Sequence, residues 1–379
     1  MKVRKIIIYS ILGFGLAIGG YFAWLIWQDY QTLRQVQIAQ NKMVVARQNA
    51  KEMPNDPQAF LNLGNASMKF WESSGKGIRI ANNLQQQSLA WTWLLSKPQA
   101  LNEAVLSYQK ALQLDPKLID AKVGLCNSLV EKGETAKAIA HCREVIKQQS
   151  KQTKIYLNLG FALIDQQQWN EAEVIIRNAL ELEPQNDDAY YLLGDVLLGK
   201  GKINEAIAAY RQSIELDPKA NLTYIGLGDA LAAQQKPQEA IAAYQKSILA
   251  VPNYALPYER LGQILAEQKQ WDEAIAAYRK AIELYPPSAN SYKGLGQILV
   301  TQNKLDEASV TYQKGIEMNP KNSELHYLLG IALMEQKKLP QALSSFKEAI
   351  KLDPARTDAR QKLQQVEKQI RNTQKKSQR

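Results

Sequence analysis

The chain has 379 residues, of which 45% are apolar and 22% charged, a composition that excludes a wholly disordered protein. Two cysteines and two histidines exclude a disulfide-rich scaffold and leave little room for a metal centre, so we predict no metal and no cofactor. The net charge of +10 is concentrated in residues 1–5 and 355–379, and the chain between them is almost neutral. Because a nucleic-acid binder carries a basic working surface, we predict no nucleic-acid partner.

The first predicted element is a transmembrane helix over residues 6–27, which contain no charged residue. At about 1.5 Å per residue such a helix is ~33 Å long, enough to cross a hydrocarbon core of ~30 Å. The alternatives are a cleavable signal peptide and a buried helix of a soluble domain. The basic lead in residues 1–5 favours a cytoplasmic N-terminus. We therefore expect a single-pass membrane protein whose remaining domain is extracytoplasmic.

Residues 28–56 are predicted to form a linker helix that leaves the membrane and ends at the sequence Pro54-Asn55-Asp56-Pro57.

An internal repeat of 34 residues dominates the rest of the chain. Its closing prolines are spaced by 34 residues, except for one gap of twice that length: Pro116, Pro184, Pro218, Pro252, Pro286, Pro320 and Pro354. When this proline is numbered position 32, position 8 is mostly glycine, position 20 is alanine and position 24 is mostly aromatic. Repeats of this length indicate a stack of similar structural units.

Each repeat is predicted to form two antiparallel helices. Apolar residues at positions 4, 7 and 11 and then at 20, 24 and 27 have helical spacing on two successive segments. The small residues at positions 8 and 20 let the two helices approach closely, and the proline ends the second helix. One such pair cannot bury its own apolar face, so neighbouring pairs must stack into a solenoid.

This pattern resembles the tetratricopeptide repeat family over residues 57–354, which hold eight repeats. The resemblance implies an all-α fold, a right-handed α-solenoid of about eight helix-turn-helix units. Repeat 1 is interrupted by an insertion over residues 71–98, which either contacts the membrane interface or a membrane partner, or caps the core of the first repeat. Residues 355–379 are predicted to form a polar capping helix and a basic tail.

No catalytic motif is present in the sequence, and we predict that the protein is not an enzyme. In the family, the first helix of each repeat lines a concave groove that binds protein or peptide partners, chiefly through positions 2, 5, 9, 12 and 13. Carried over by the resemblance, these positions predict a partner-binding groove that includes Asn127, Lys154, Phe161, Asp188, Tyr191, Asp195, Asp229, Glu259, Gln263, Lys293, Gln297 and Tyr327.

The two cysteines occupy positions 8 and 24 of repeat 2. Both lie eight positions from the turn between the helices, so an antiparallel pair brings Cys126 and Cys142 opposite each other. We interpret them as small, reduced core residues. The alternative is a disulfide, which requires an oxidising compartment.

The predicted function is a membrane-tethered scaffold or adaptor that binds protein partners in its groove, for the assembly or maintenance of a membrane-associated complex. The alternative is an accessory subunit of an envelope enzyme system, such as polysaccharide synthesis or export. The role in a complex is an analogy with the family.

Overall fold

The computed structural model describes residues 20–83, 87–148 and 151–377, and side chains within them except at 20–28, 75–94 and 374–377. These residues form eighteen α-helices, and no strand occurs among them. The predicted all-α solenoid of tetratricopeptide-like helix pairs is confirmed. The chain divides into an N-terminal unit, Met1–Pro184, and a C-terminal unit, Gln185–Arg379. This boundary follows the proline that closes repeat 3.

The N-terminal unit contains three long helices followed by two ordinary repeats. The long helices are α1 (Gly20–Glu52), α2 (Pro57–Asn83) and α3 (Gln87–Leu114). Repeats 2 and 3 form the four shorter helices α4 (Ile119–Glu131), α5 (Thr135–Lys147), α6 (Thr153–Asp165) and α7 (Trp169–Leu182).

The C-terminal unit contains the remaining five repeats and a final helix. Repeats 4–6 form α8 (Asp187–Gly199), α9 (Ile203–Leu216), α10 (Asn221–Ala233), α11 (Pro237–Ala250), α12 (Ala255–Glu267) and α13 (Trp271–Leu284). Repeats 7 and 8 form α14 (Ala289–Thr301), α15 (Leu305–Met318), α16 (Ser323–Glu335) and α17 (Leu339–Leu352). Helix α18 (Thr357–Ser377) follows, and its residues Ala359 and Val366 are fully buried.

Helix α1 packs along α2 through a stripe of small and apolar residues. Ala46 and Ala50 pack with Ala59 and Leu63, whereas residues nearer the start of α1 pack with Phe70. The two helices are therefore antiparallel. The guanidinium of Arg47 also holds the Glu103 carboxylate of α3, with nitrogen–oxygen distances of 2.7 and 2.9 Å. Residues from 29 onward are thus part of the packed N-terminal unit.

The predicted insertion over residues 71–98 lengthens both helices of repeat 1. Helix α2 continues to Asn83, and α3 begins at Gln87 and passes through Pro98. The serines at the start of the insertion fit this helix because their hydroxyls donate to main-chain carbonyls of the preceding turn, Ser73 to Lys69 at 2.8 Å and Ser74 to Trp71 at 2.9 Å.

Most of the predicted transmembrane segment, residues 6–19, lies outside the described residues, and residues 20–27 belong to α1. Within the described part of the chain, none of the helices combines the length and apolar character that crossing a bilayer requires.

Cys126 and Cys142 form a disulfide, so our interpretation of two reduced core residues is wrong. Their Cα atoms are 5.4 Å apart, and both residues are fully buried. The reason lies in the repeat register. In most other repeats, the glycine at position 8 receives the aromatic ring at position 24, for example Gly296 and Tyr312. In repeat 2 the same two positions carry the bridge.

Candidate functional site

The predicted groove residues all lie on first helices of repeats, and none of them is fully buried. Lys154, Phe161, Asp188, Gln263 and Gln297 are exposed, and the other seven are half-buried. Each first helix is held in place by apolar residues on its other side, such as Leu295 and Leu299 on α14, which are buried in the core. This surface is therefore available for binding, within each unit taken separately.

The N-terminal unit contains a cleft of about 340 Å³ between α2, α4 and the start of α6, which we call the N-terminal cleft. It brings together two predicted residues, Asn127 and Lys154, and the Asn127 side-chain oxygen accepts a hydrogen bond from Asn158. Phe161, whose side chain is exposed, does not line it. Asn65, Lys69 and Glu72 also line the cleft but were missed. Asn65 is position 9 of repeat 1, so the repeat register itself could have identified it.

The C-terminal unit contains a cleft of about 510 Å³ between α12 and α14, which we call the C-terminal cleft. Four predicted residues line it: Glu259, Gln263, Lys293 and Gln297. Arg260, Trp271 and Tyr278 also line the cleft but are not predicted from the sequence. Tyr278 is at position 24, which the repeat pattern assigns to the interior, and the other two are at positions 6 and 17, outside the groove positions. Gly294 at the base leaves room for the Tyr278 ring, since a Cβ there would lie 2.2 Å from Tyr278 Cζ.

The C-terminal cleft presents amides and charges of both signs on a rigid helical frame. Glu259 is held by hydroxyl donors, Ser288 and Ser291, the latter at 2.8 Å. Lys293 forms an ion pair with Glu324 of the next repeat at 3.2 Å. The side chains of Gln263 and Gln297 are exposed between these charged groups. Such an arrangement can donate to and accept from the main chain of an extended peptide.

Tyrosines at position 24 reach position 9 of their own repeat and orient its side chain. The Tyr210 hydroxyl donates to Asp195 at 2.5 Å, and the Tyr244 hydroxyl donates to Asp229 at 2.7 Å. In repeat 1 the Tyr108 hydroxyl donates to Asn65 at 2.8 Å. These contacts fix the position-9 side chains that the family pattern assigns to the groove.

Burial raises the pKa of the carboxylates at position 9 of repeats 4 and 5. Burial of Asp195 raises the pKa of its carboxyl to about 6, although hydrogen bonds from Tyr210 and Tyr191 oppose the shift. Burial also raises the pKa of Asp229, but there the Arg260 guanidinium, 3.3 Å away, opposes the rise. At position 2 of repeat 4, partial desolvation and the neighbouring carboxylates of Asp187 and Asp217 raise the pKa of Asp188, although much of its side chain is exposed. The first helices of repeats 4 and 5 therefore carry carboxylates that a cationic group would stabilise.

The raised pKa of Asp195 predicts a pH-dependent stability. Because the folded state holds the proton more tightly than the unfolded state, stability is lost as pH rises from about 4 to about 6. Asparagine keeps an acceptor for Tyr210 and cannot ionise. We expect Asp195→Asn to be more stable than wild type by about 1–2 kcal/mol at about pH 8, since solvent screens part of the ~1.4 kcal/mol per pKa unit. The two proteins should be equally stable near pH 4.

Chemical denaturation at the two pH values checks this expectation. Asp229→Asn is the matched control, since it also removes an ion pair with Arg260 and should gain less. An Asp195→Asn variant that is less stable than wild type at alkaline pH would contradict the assigned cause.

Tyr191 and Tyr327, although predicted in the groove, also contribute to packing. The Tyr191 ring lies 6.3 Å from the Tyr210 ring. The Tyr327 ring lies 5.9 Å from Phe346 and 5.0 Å from the Arg356 guanidinium. These two tyrosines therefore connect the groove surface to the core of their repeats.

Solved structures with similar folds are numerous. The anaphase-promoting-complex hetero-tetramer Cut9-Hcn1 matches with a TM-score of 0.53 at 17% identity, over 81% of this chain and 62% of that chain. YrrB, described as a tetratricopeptide repeat protein with an unusual peptide-binding site, matches with a TM-score of 0.40 at 23% identity, over 48% of this chain and 95% of YrrB. Pseudomonas aeruginosa pilF matches with a TM-score of 0.49 at 19% identity, over 57% and 97% of the two chains.

At these identities the likeness shows the fold alone, and this chain spans less than two thirds of the Cut9-Hcn1 chain that it matches. A search of curated proteins finds no match.

Models of protein families identify the repeats directly. Tetratricopeptide repeat models match residues 129–195, 220–286, 253–321 and 293–357, which together cover more than half of the chain. The model for subunit 3 of the anaphase-promoting complex, or cyclosome, matches residues 165–247. Proteins built from these repeats typically act as non-enzymatic scaffolds that bind protein or peptide partners. The chain belongs to the tetratricopeptide repeat family.

Proposed function

We propose that this protein is a membrane-tethered scaffold that holds protein partners against its first helices, for the assembly or maintenance of a membrane-associated complex. The observation that carries the proposal is the C-terminal cleft, in which Glu259, Gln263, Lys293 and Gln297 converge on one space of about 510 Å³. A cleft of this size accommodates a few residues of an extended segment. Its exposed amides match the main-chain groups of such a segment.

The partner that best fits this surface carries basic side chains. Asp195 and Asp229 lie on the first helices of repeats 4 and 5, and their raised pKa values mean that a cation nearby would stabilise them. In the C-terminal cleft Glu259 and Glu267 are matched by Arg260 and Lys293, so the acidic character comes from repeats 4 and 5. Binding should therefore weaken as the salt concentration rises.

The proposed location of the repeats is extracytoplasmic, with residues 6–27 in the membrane and the N-terminus in the cytoplasm. The Cys126–Cys142 bridge supports this proposal because disulfides persist in oxidising compartments and are rare in the cytosol. Protease added to intact spheroplasts should degrade residues 57–354. Complete protection, with digestion only after lysis, would overturn the orientation.

A pull-down from detergent-solubilised membranes tests partner binding. We expect Gln263→Ala combined with Gln297→Ala to lose the partners that wild type retains, because two exposed amides of the C-terminal cleft are removed. Gln245→Ala is the matched control. Gln245 is also an exposed helical glutamine, but it lines a separate cleft between α11 and α13, made largely by second helices. Equal partner recovery by wild type and both variants would contradict binding at this cleft.

A further inference from the structure

Repeat 1 has helices about twice as long as those of the other repeats. Helices α2 and α3 contain 27 and 28 residues, whereas the helices of repeats 2 to 8 contain 13 or 14. At about 1.5 Å per residue the extra length is ~20 Å in each helix. The hairpin therefore extends well beyond the edge of the repeat. We call residues 75–83 and 87–95 the distal hairpin.

Helix α1 extends toward the same end as the distal hairpin. Because α1 and α2 are antiparallel and Val36 lies in the same cluster as Phe70, distances along both helices can be measured from this level. Gly20 lies 16 residues before Val36, about 24 Å along α1, and Asn83 lies 13 residues after Phe70, about 20 Å along α2. The end of the distal hairpin is thus level with the start of α1, where the uncharged run of residues 6–27 continues into the described chain.

The distal hairpin has the composition of a membrane-interface segment. The distal hairpin and its flanks, residues 73–102, contain no aspartate or glutamate, although the whole chain has 37 of them. The cations Lys76 and Arg79 lie in the hairpin, and Lys97 lies at its base. Trp91 and Trp93 lie in the same segment, and tryptophan prefers the boundary between water and hydrocarbon. Lys97 lies over the Trp71 ring, 4.7 Å from its centroid, so its charge is held against the described base of the hairpin.

We propose that the distal hairpin lies in the headgroup layer of the membrane that residues 6–27 enter, where its cations and tryptophans contact anionic phospholipids. The inference rests on the proposed membrane tether and adds a second contact with the same bilayer. Anionic lipid is the surface that a basic, acid-free segment favours, since each lysine or arginine near such a surface contributes ~1 kcal/mol. Helix α2 is continuous to Asn83 and α3 is continuous from Gln87, with Pro98 inside it, so the segment extends the two helices of repeat 1 and does not form a separate cap.

Depth-dependent fluorescence quenching tests the contact in the full-length chain. The two native cysteines are bridged and buried, so a single introduced cysteine can be labelled with an environment-sensitive dye. The label is placed at Thr92→Cys, between the two tryptophans, with Asn62→Cys as the control on the exposed proximal part of α2. The protein is reconstituted in phosphatidylcholine–phosphatidylglycerol vesicles that carry a quencher on the lipid headgroup.

We expect the label at Thr92→Cys to lose most of its emission to the headgroup quencher, and the label at Asn62→Cys to keep it. Adding Lys76→Glu and Arg79→Glu should restore most of the lost emission. A Thr92→Cys label that behaves like the Asn62→Cys label overturns the inference.

A third label at Ile11→Cys separates this inference from the tether on which it rests. If acyl-chain quenchers reduce the emission of the Ile11→Cys label but headgroup quenchers do not reduce that of the Thr92→Cys label, the membrane tether is supported and the headgroup contact is wrong. If the Ile11→Cys label also stays bright, the membrane tether itself fails.

Discussion

Reduction of the Cys126–Cys142 disulfide is expected to destabilise the N-terminal unit by about 3 kcal/mol. The bridge closes a loop with a sequence separation of 16, and a loop of that size constrains the unfolded chain by roughly this amount. The bridge also occupies the two positions at which other repeats pack an aromatic ring on glycine. Cys126→Ser should have a similar or larger effect, because it also leaves a hydroxyl in a fully buried site.

Hydrogen exchange measured with and without reductant checks this expectation. Protection should fall over residues 119–147 and remain unchanged over residues 187–377. The C-terminal unit contains no cysteine, so it is an internal control in the same sample. Two free thiols in unfolded protein purified without reductant would show that the bridge does not form.

Gly296→Val is expected to destabilise the C-terminal unit by about 3 kcal/mol or more, through overpacking against Tyr312. A Cβ at Gly296 would lie 2.2 Å from Tyr312 Cε1, and the Tyr312 ring is almost fully buried, so neither helix can yield without disturbing the core. The sign of the change in stability distinguishes the steric clash from helix propensity. Glycine inside a helix costs about 1 kcal/mol relative to alanine, so without the clash a larger residue would stabilise α14.

A double-mutant cycle with Tyr312→Ala measures this contact. The cost of Gly296→Val should fall sharply when the ring is removed. Gln297→Val, one residue later on the exposed side of the same helix, controls for the lower helix propensity of valine and should cost less than about 1 kcal/mol. Equal costs for the two valine substitutions would contradict the close approach of α14 and α15.

The repeat pattern predicts most of the fold because each of its positions has one physical role. Position 8 is glycine because an aromatic ring occupies the space, and position 20 is alanine because the helices meet there; Ala274 and Ala308, for example, are fully buried. The same register brings the two cysteines opposite each other, but spacing alone does not report whether two thiols are oxidised. The sequence does not indicate the long helices of repeat 1, because serine and glycine at residues 73–77 are typical of loops.

The sequence predicts where the candidate site lies, but it does not predict all of the lining residues or their pKa values. The register identifies Gln263 and Gln297 as groove residues, and the structure brings both into one cleft. It does not identify Arg260 or Trp271, which also line the cleft, or Tyr278, whose ring occupies the space that Gly294 leaves at its base. Nor does it identify which groove carboxylates are basic, because the raised pKa of Asp195 comes from burial in three dimensions.

Site-specific photo-crosslinking in living cells tests the central claim, that the C-terminal cleft binds a protein partner. A photoreactive residue is placed at Gln297 in the cleft and, separately, at Gln245 in the cleft between second helices. We predict a discrete, heavier adduct from position 297 that is absent from position 245. Adducts of equal yield from both positions, or none from position 297, would contradict the account.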